Sequence, residues 1–326
     1  MPVVSVGEQN TKVLHSPRSK EATVKRMPAS AAALKAIQPL FGDLPALRVR
    51  PFLKWAGGKS RLLPALRRSL PLKFKRYFEP FIGGGALFFG LLPDEAVLGD
   101  SNPELINCYQ AVRDKPTELI AAVSRLRVNE SEFYRLRELD PERMSPVERA
   151  ARLIYLNKTC YNGLYRVNKE GRFNTPYGRH SNVTLVDPAN LLSASAALRK
   201  AQLVCGDFAT VLDTAEKDDF IYLDPPYVPV GKFSDFKRYT KGQFYEADQE
   251  RLAEEFRELA GKGCFVLLSN SFNEKTAKLY SKFLQRTVQM PRFVNCKGEG
   301  RGKVDELLIS NYVPVTNDGR YAATAS

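Results

Sequence analysis

Phe220-Ile221-Tyr222-Leu223-Asp224-Pro225-Pro226-Tyr227 is an apolar run brought to a stop by an acid and two prolines. Apolar residues in so short a run, closed by such punctuation, read as a strand and the turn that ends it. The same texture recurs on either side. Tyr77–Glu79, Ala96–Asp100, Gln202–Gly206, Cys264–Ser269 and Glu306–Tyr312 are short, rich in β-branched or aromatic residues, and several end at Gly or Asp. Helical patterns lie between several of them, among them Pro103–Arg113 and Asp248–Leu259. The second opens on Asp248 as N-cap, with Glu250 in its first turn, and halts before Gly261. Strand–helix alternation of this kind predicts an α/β fold, a mostly parallel sheet covered by helices. From about Lys115 to Lys200 the rhythm breaks. The helical segments Thr117–Arg127, Glu132–Leu139 and Pro146–Asn157 precede a polar, aromatic stretch from Thr159 to Arg179, which predicts a second lobe inserted between strands. Residues 1–48 read as a flexible basic tail, and 316–326 as a C-terminal tail.

In an open α/β sheet, ligands bind where strands end at a topological switch point, so Asp224, Pro225, Pro226 and Tyr227 form a candidate site. The prolines stiffen the backbone and leave carbonyls to accept from a substrate. An exocyclic amine on a base ring is a poor nucleophile, because its lone pair is delocalised. A carboxylate and a rigid carbonyl accepting its N–H bonds favour the pyramidal form and stabilise the positive charge developing on nitrogen. Tyr227 offers a stacking face to a base drawn out of its helix. Taken alone, so short a string reads more readily as a plain strand-ending turn.

Phe78-Glu79-Pro80-Phe81-Ile82-Gly83-Gly84-Gly85-Ala86 leads from a strand through glycines into a helix, where a ligand can approach backbone N–H groups. A dinucleotide fingerprint would need glycine at position 88, which is Phe88. Asp100 ends the next strand, the place for an acid that bonds ribose hydroxyls. Phe52-Leu53-Lys54-Trp55-Ala56-Gly57-Gly58-Lys59-Ser60 ends like a P-loop, but Leu53 stands where that motif needs glycine. Lys54 to Arg76 holds eight basic residues and no acidic one, so phosphate contact is the expected use of this stretch. Tyr161 to Asn174 reads as a β-hairpin turning at Asn168–Gly171, with the aromatic, amide and Arg content suited to stacking on bases and donating to their edges.

Composition narrows the choice. Lys and Arg number 49 against 36 Asp and Glu, a formal net charge of +13, which implies a polyanionic partner or an anionic surface. Five dispersed cysteines without a CxxC pair fit reduced thiols in a cytosol-like compartment. Only His15 and His180 are present, which excludes a histidine-rich metal centre. No apolar run reaches the roughly 18 residues of a membrane span.

Together, in this order and spacing, these motifs resemble the Dam family of DNA adenine N6-methyltransferases. The family's FLKWAGGK, EPFxGxG, NGLxRxN…GxFNxPxG and DPPY blocks stand at Phe52–Lys59, Glu79–Gly85, Asn162–Gly178 and Asp224–Tyr227, and Lys303–Leu308 looks like its late KVDELL strand. The resemblance runs from about Pro51 to Tyr312. It implies a Rossmann-like methyltransferase fold, with a catalytic domain over 49–114 and 200–315 and a target-recognition domain over 115–199. It implies S-adenosylmethionine as donor, without a metal, held by Trp55, Lys59, Asp100 and Asp224, with Gly83 and Gly85 forming the cofactor loop. Lys54, Tyr161, Asn162, Leu164 and Arg166 match positions that face DNA, and Arg179 aligns with a basic position near the phosphate backbone. Double-stranded DNA is the expected partner, with GATC the expected target, although Tyr161 replaces the Phe that leads the hairpin in GATC-reading relatives. A cytoplasmic monomer, with or without a cognate restriction endonuclease, completes the expectation. Methylation of RNA adenine or cytosine N4, and DNA binding without catalysis, are the alternatives that Asp224–Tyr227 alone leaves open.

Overall fold

The computed structural model describes residues 49–227, 244–291 and 303–314; both tails lie outside them. Among the described residues seven strands form one sheet: β1 (Tyr77–Glu79), β2 (Ala96–Asp100), β3 (Ala201–Cys205), β4 (Phe220–Leu223), β5 (Phe265–Ser271), β6 (Leu284–Pro291) and β7 (Lys303–Ser310). Their order is β3-β2-β1-β4-β5-β7-β6. The first five are parallel, and β7 runs antiparallel between β5 and β6.

Alternation along the strands fills two cores. Phe220 and Tyr222 of β4 point into one cluster, Ile221 and Leu223 into the other, and Tyr77 and Phe78 of β1 divide the same way. Burial on both faces explains why β4 is apolar throughout. The chain leaves β1 toward β2 on one side and returns to β4 on the other, so the switch point lies between β1 and β4. Their carboxyl ends are Glu79 and the turn at Asp224, the place where ligands bind such sheets.

Helices cover both faces: α1 (Leu63–Arg67), α2 (Ala86–Leu91), α3 (Pro103–Asp114), α4 (Pro116–Ser124), α5 (Glu130–Glu138), α6 (Pro146–Thr159), α7 (Pro188–Leu198), α8 (Phe208–Leu212), α9 (Glu246–Gly261) and α10 (Glu274–Leu279). Helix α3 starts where the sequence dictates. The Asn102 side chain accepts from the N–H groups of Glu104 and Leu105, and Pro103 occupies the first turn. Helix α6 opens on a capping box of Ser145 and Glu148 and is buried along most of its length. Leu119, Val123, Phe133, Leu136, Leu153 and Ile154 of α4–α6 belong to the same core as Leu98 and Tyr222 of the sheet.

Three sequence expectations shift. Helix α9 begins earlier than Asp248: Tyr245 is the N-cap and donates its N–H to the Asp248 carboxylate at 2.9 Å. It also runs through Gly261, and it is Gly263, at φ +84°, that takes the left-handed conformation after its end. The last strand spans Lys303–Ser310 rather than Glu306–Tyr312. Strand β6 was not expected at all. Its Gln285, Arg286 and Gln289 suit a sheet edge and dilute the apolar signal. The hairpin is slight: Val167 bridges Phe173, and the Asn168 N–H donates to Arg172 O at 2.9 Å across the turn.

Candidate active site

At the end of β4, burial raises the pKa of Asp224, against the pull of the Lys59 ammonium and of two hydrogen bonds. Lys59 Nζ lies 2.7 Å from Asp224 Oδ1, and Ser269 Oγ on β5 donates to the same oxygen at 3.0 Å. Tyr222 shares a 2.8 Å hydrogen bond with Ser269. Both donors occupy Oδ1; no donor among the described residues reaches Oδ2. Pro226 O accepts from Gln249 Nε2 of α9 at 3.2 Å, whereas no described donor reaches Pro225 O. Tyr227 carries Lys59 Nζ over its ring, 4.7 Å from the centroid, and its hydroxyl donates to Glu306 Oε2 at 2.6 Å. Lys59 is therefore not the phosphate-facing lysine that its basic surroundings suggest. Only 8% exposed, it is committed to Asp224 and Gly57 O.

Across the cleft, the chain turns out of β1 through glycines. The Gly83 N–H donates to Asp100 Oδ2 at 3.2 Å, and the Asn102 N–H to Oδ1 at 2.9 Å. Burial pushes the Asp100 carboxyl up to about 6 despite these backbone donors. Gly83 and Gly85 sit at φ +45° and +67°. A Cβ would lie 2.8 Å from the Trp55 ring at Gly83, and 2.8 Å from the Tyr109 hydroxyl at Gly85. Trp55 in turn stacks on Tyr165, centroids 5.2 Å apart. Glu79, beneath the loop, accepts from the Tyr77 hydroxyl at 2.8 Å, and burial lifts its carboxyl to about 8. Trp55, Lys59, Gly83, Asp100, Asp224 and Tyr227 all line one cleft of about 1270 Å³.

The residues expected to meet DNA lie outside the lining of that cleft. Asn157, fully buried near the end of α6, joins two of their segments. Its Oδ1 accepts from Lys54 N at 2.8 Å, and its Nδ2 donates to Lys54 O at 2.6 Å and to Gly163 O at 3.3 Å. Asn162 adopts φ +55°, and Tyr161 is half exposed. Leu164 O accepts from the Thr175 hydroxyl at 2.6 Å. The Arg166 guanidinium is oriented by Asn174, through Nε to Oδ1 at 2.8 Å and through its terminal nitrogen to O at 3.2 Å. Arg179 is exposed beside Glu130. It lines a second hollow of about 520 Å³ with Lys54, Lys158 and His180. Burial, then repulsion from Lys54 and Arg50, lowers the Lys158 ammonium.

Residues 55–291 match the family model described as D12 class N6 adenine-specific DNA methyltransferase. The chain belongs to that family. Methyltransfer to adenine in DNA is thus its activity, which sets aside the RNA, cytosine and non-catalytic alternatives. It is 43% identical over 274 residues to the Type II methyltransferase M1.LlaDCHI of Lactococcus lactis subsp. cremoris, covering 82% of this chain and 96% of that one. Identity is 41% over 289 residues to the Type II methyltransferase M.MjaIII of Methanocaldococcus jannaschii, covering 82% and 100%. It is 34% over 263 residues to the DNA adenine methylase of Escherichia coli K12, covering 79% and 94%.

A D12 methyltransferase uses S-adenosylmethionine, an amino acid joined to a nucleoside, and this cleft has the chemistry to hold it. Asp100 can accept from hydroxyls, Lys59 supplies a buried cation, and the glycine loop brings backbone close where side chains would collide with Trp55 and Tyr109. Sequence reading of this D12 enzyme missed Ser269, Gln249 and Glu306, which touch Asp224, Pro226 and Tyr227. No helix among the described residues is long and apolar enough to cross a membrane.

Proposed function

We propose that this D12 methyltransferase modifies N6 of an adenine drawn out of duplex DNA within a short specific sequence, GATC being our first candidate. The observation that carries the reading is the convergence of Asp224 and the Gly83–Gly85 loop on one cleft at the β1–β4 switch point. When bound, S-adenosylmethionine supplies a methyl group on a positively charged sulfur. Asp100 accepts from the ribose hydroxyls, Trp55 and Lys59 hold the rest of the donor, and Gly83 and Gly85 admit it to the backbone. Asp224 Oδ2 and Pro225 O accept the two N–H bonds of the target amine, while Lys59 and Ser269 on Oδ1 keep the carboxylate in place. Charge developing on the amine falls beside Asp224 in a site already arranged to receive it. Pro226, tied to Gln249, fixes the turn, and Tyr227 stacks on the base.

Residues 115–199 act in this proposal as the target-recognition part, with 49–114 and 200–315 carrying catalysis. Lys54, Asn162, Leu164 and Arg166 meet the base pairs, Tyr161 fills the gap left by the target base, and Arg179 meets a phosphate. The higher identity to relatives named Type II methyltransferases than to the Escherichia coli methylase favours a partnership with a restriction endonuclease reading the same site. A monomer acting on DNA in the cytoplasm suffices for this chemistry. Purified protein with a labelled methyl donor should mark duplex DNA, and sequencing of modified bases should place N6-methyladenine in one short motif. Asp224→Ala should abolish transfer; an Asp224→Ala protein that methylates at the normal rate would overturn the assignment.

A further inference from the structure

We infer that Glu306 is a positioning residue that holds the Tyr227 ring in the plane required to stack on the target base. The inference rests on the proposed stacking role of Tyr227 and adds the group that makes it effective. The Tyr227 hydroxyl donates to Glu306 Oε2 at 2.6 Å, a close hydroxyl-to-carboxylate hydrogen bond. A carboxylate only accepts, so the proton belongs to the tyrosine. Burial, followed by the charges of Asp224 and Glu306, keeps it there by raising the phenol pKa. With Lys59 over the ring at 4.7 Å, Tyr227 is held both at a face and at its tip. Two contacts of different kind, one on the ring and one at the hydroxyl, fix its plane.

The anchor is itself rigid. Glu306 stands on β7, paired in register with Ser271 of β5 and with Val288 of β6, and Leu307, Leu308 and Ile309 beyond it are buried. A ring fixed from such a strand is oriented before the base arrives, so ordering it costs nothing at that moment. Base–aromatic stacking commonly accounts for about fivefold to a hundredfold in occupancy, and a ring free to turn would lose part of that. The loss would fall on the step after DNA association, because Glu306 meets neither donor nor duplex in this scheme.

The test compares full-length wild type with Glu306→Ala, Glu306→Gln, Tyr227→Phe and the double variant Glu306→Ala/Tyr227→Phe, on a duplex containing the methylated sequence. Glu306→Ala should lower kcat by about tenfold, as expected for a lost hydrogen bond to a charged acceptor, and leave the affinities for S-adenosylmethionine and duplex unchanged. Glu306→Gln, whose amide oxygen still accepts, should recover most of the rate. Tyr227→Phe should match Glu306→Ala, and the double variant should lose nothing further. 2-Aminopurine at the target position should report altered base stacking in both single variants. A wild-type kcat in Glu306→Ala, or losses that multiply in the double variant, would overturn the inference. If Glu306→Ala fails to fold, Tyr227→Phe removes the same bond without touching β7, and a wild-type kcat there overturns it equally. Wild-type protein that leaves adenine N6 unmethylated would instead defeat the underlying reading of the site.

Discussion

Lys59 shows how burial, rather than sequence neighbourhood, decides what a charged residue does. Eight basic residues crowd Lys54 to Arg76, yet Lys59 turns inward to Asp224. Burial raises the Asp224 pKa and Lys59 opposes that rise, so removing the ammonium leaves burial less opposed. The acidic limb of the kcat–pH profile should therefore move to higher pH in Lys59→Met at saturating donor; a rate reduced equally at every pH would exclude this role. Glu79 makes a second prediction. Its folded carboxyl is raised from 4.5 to about 8, so the folded state binds the proton more tightly than the unfolded chain. The stability this contributes is complete below pH 4.5 and is lost as pH climbs to about 8. Glu79→Gln removes that dependence while keeping an acceptor for Tyr77. Its unfolding free energy, followed across this range, should fall less than that of the wild type, a difference on the order of a few kcal/mol at the alkaline end. Parallel curves would show that Glu79 is already ionised. Asp224 and Asp100 were legible in the sequence because each closes its own strand. Ser269 and Glu306 were not, because they arrive from 45 and 79 residues away through strand pairing that no local pattern encodes.

At the scale of elements, central strand β4 was legible because a strand covered on both faces is apolar throughout, whereas edge strand β6 mixes Arg, Gln and Thr and gives no such signal. The turn at Tyr161–Gly163 was legible as composition but not as geometry. Gly163 sits at φ +63°, and a Cβ there would lie 2.6 Å from Lys54 Cδ and 2.8 Å from Lys54 Cβ. Lys54 is close because Asn157 clips its backbone to the same turn. Gly163→Ala should thus displace Lys54 and cost about 1–2 kcal/mol from the left-handed backbone alone. Duplex affinity should fall while donor affinity, measured by calorimetry, stays constant, since the Gly83–Gly85 loop is untouched. Equal losses of both affinities would mean that the turn supports the cleft rather than the DNA-facing surface.

For the whole molecule, a formal charge of +13 states that DNA binding will be governed largely by counterion release, but not where the phosphates lie. The structure groups Lys54, Lys158, Arg179 and His180 around one hollow apart from the main cleft. It also fixes the Arg166 guanidinium against Asn174. These two environments should respond differently to sequence and salt. An exposed cation such as Arg179 that meets a phosphate contributes the same free energy on every duplex, and its loss should reduce the slope of log affinity against log salt by about 1. A guanidinium oriented by a side-chain amide presents its donor fork in one plane, suited to a base edge. Arg166→Ala should therefore cost about 1–3 kcal/mol on the recognised sequence and relax discrimination at a single base pair, with little change in slope. Titrations of both variants on matched and mismatched duplexes over a range of salt separate the two effects. If Arg166→Ala weakens all duplexes equally and flattens the salt dependence, Arg166 is a phosphate contact and discrimination rests elsewhere in the Tyr161–Asn174 segment.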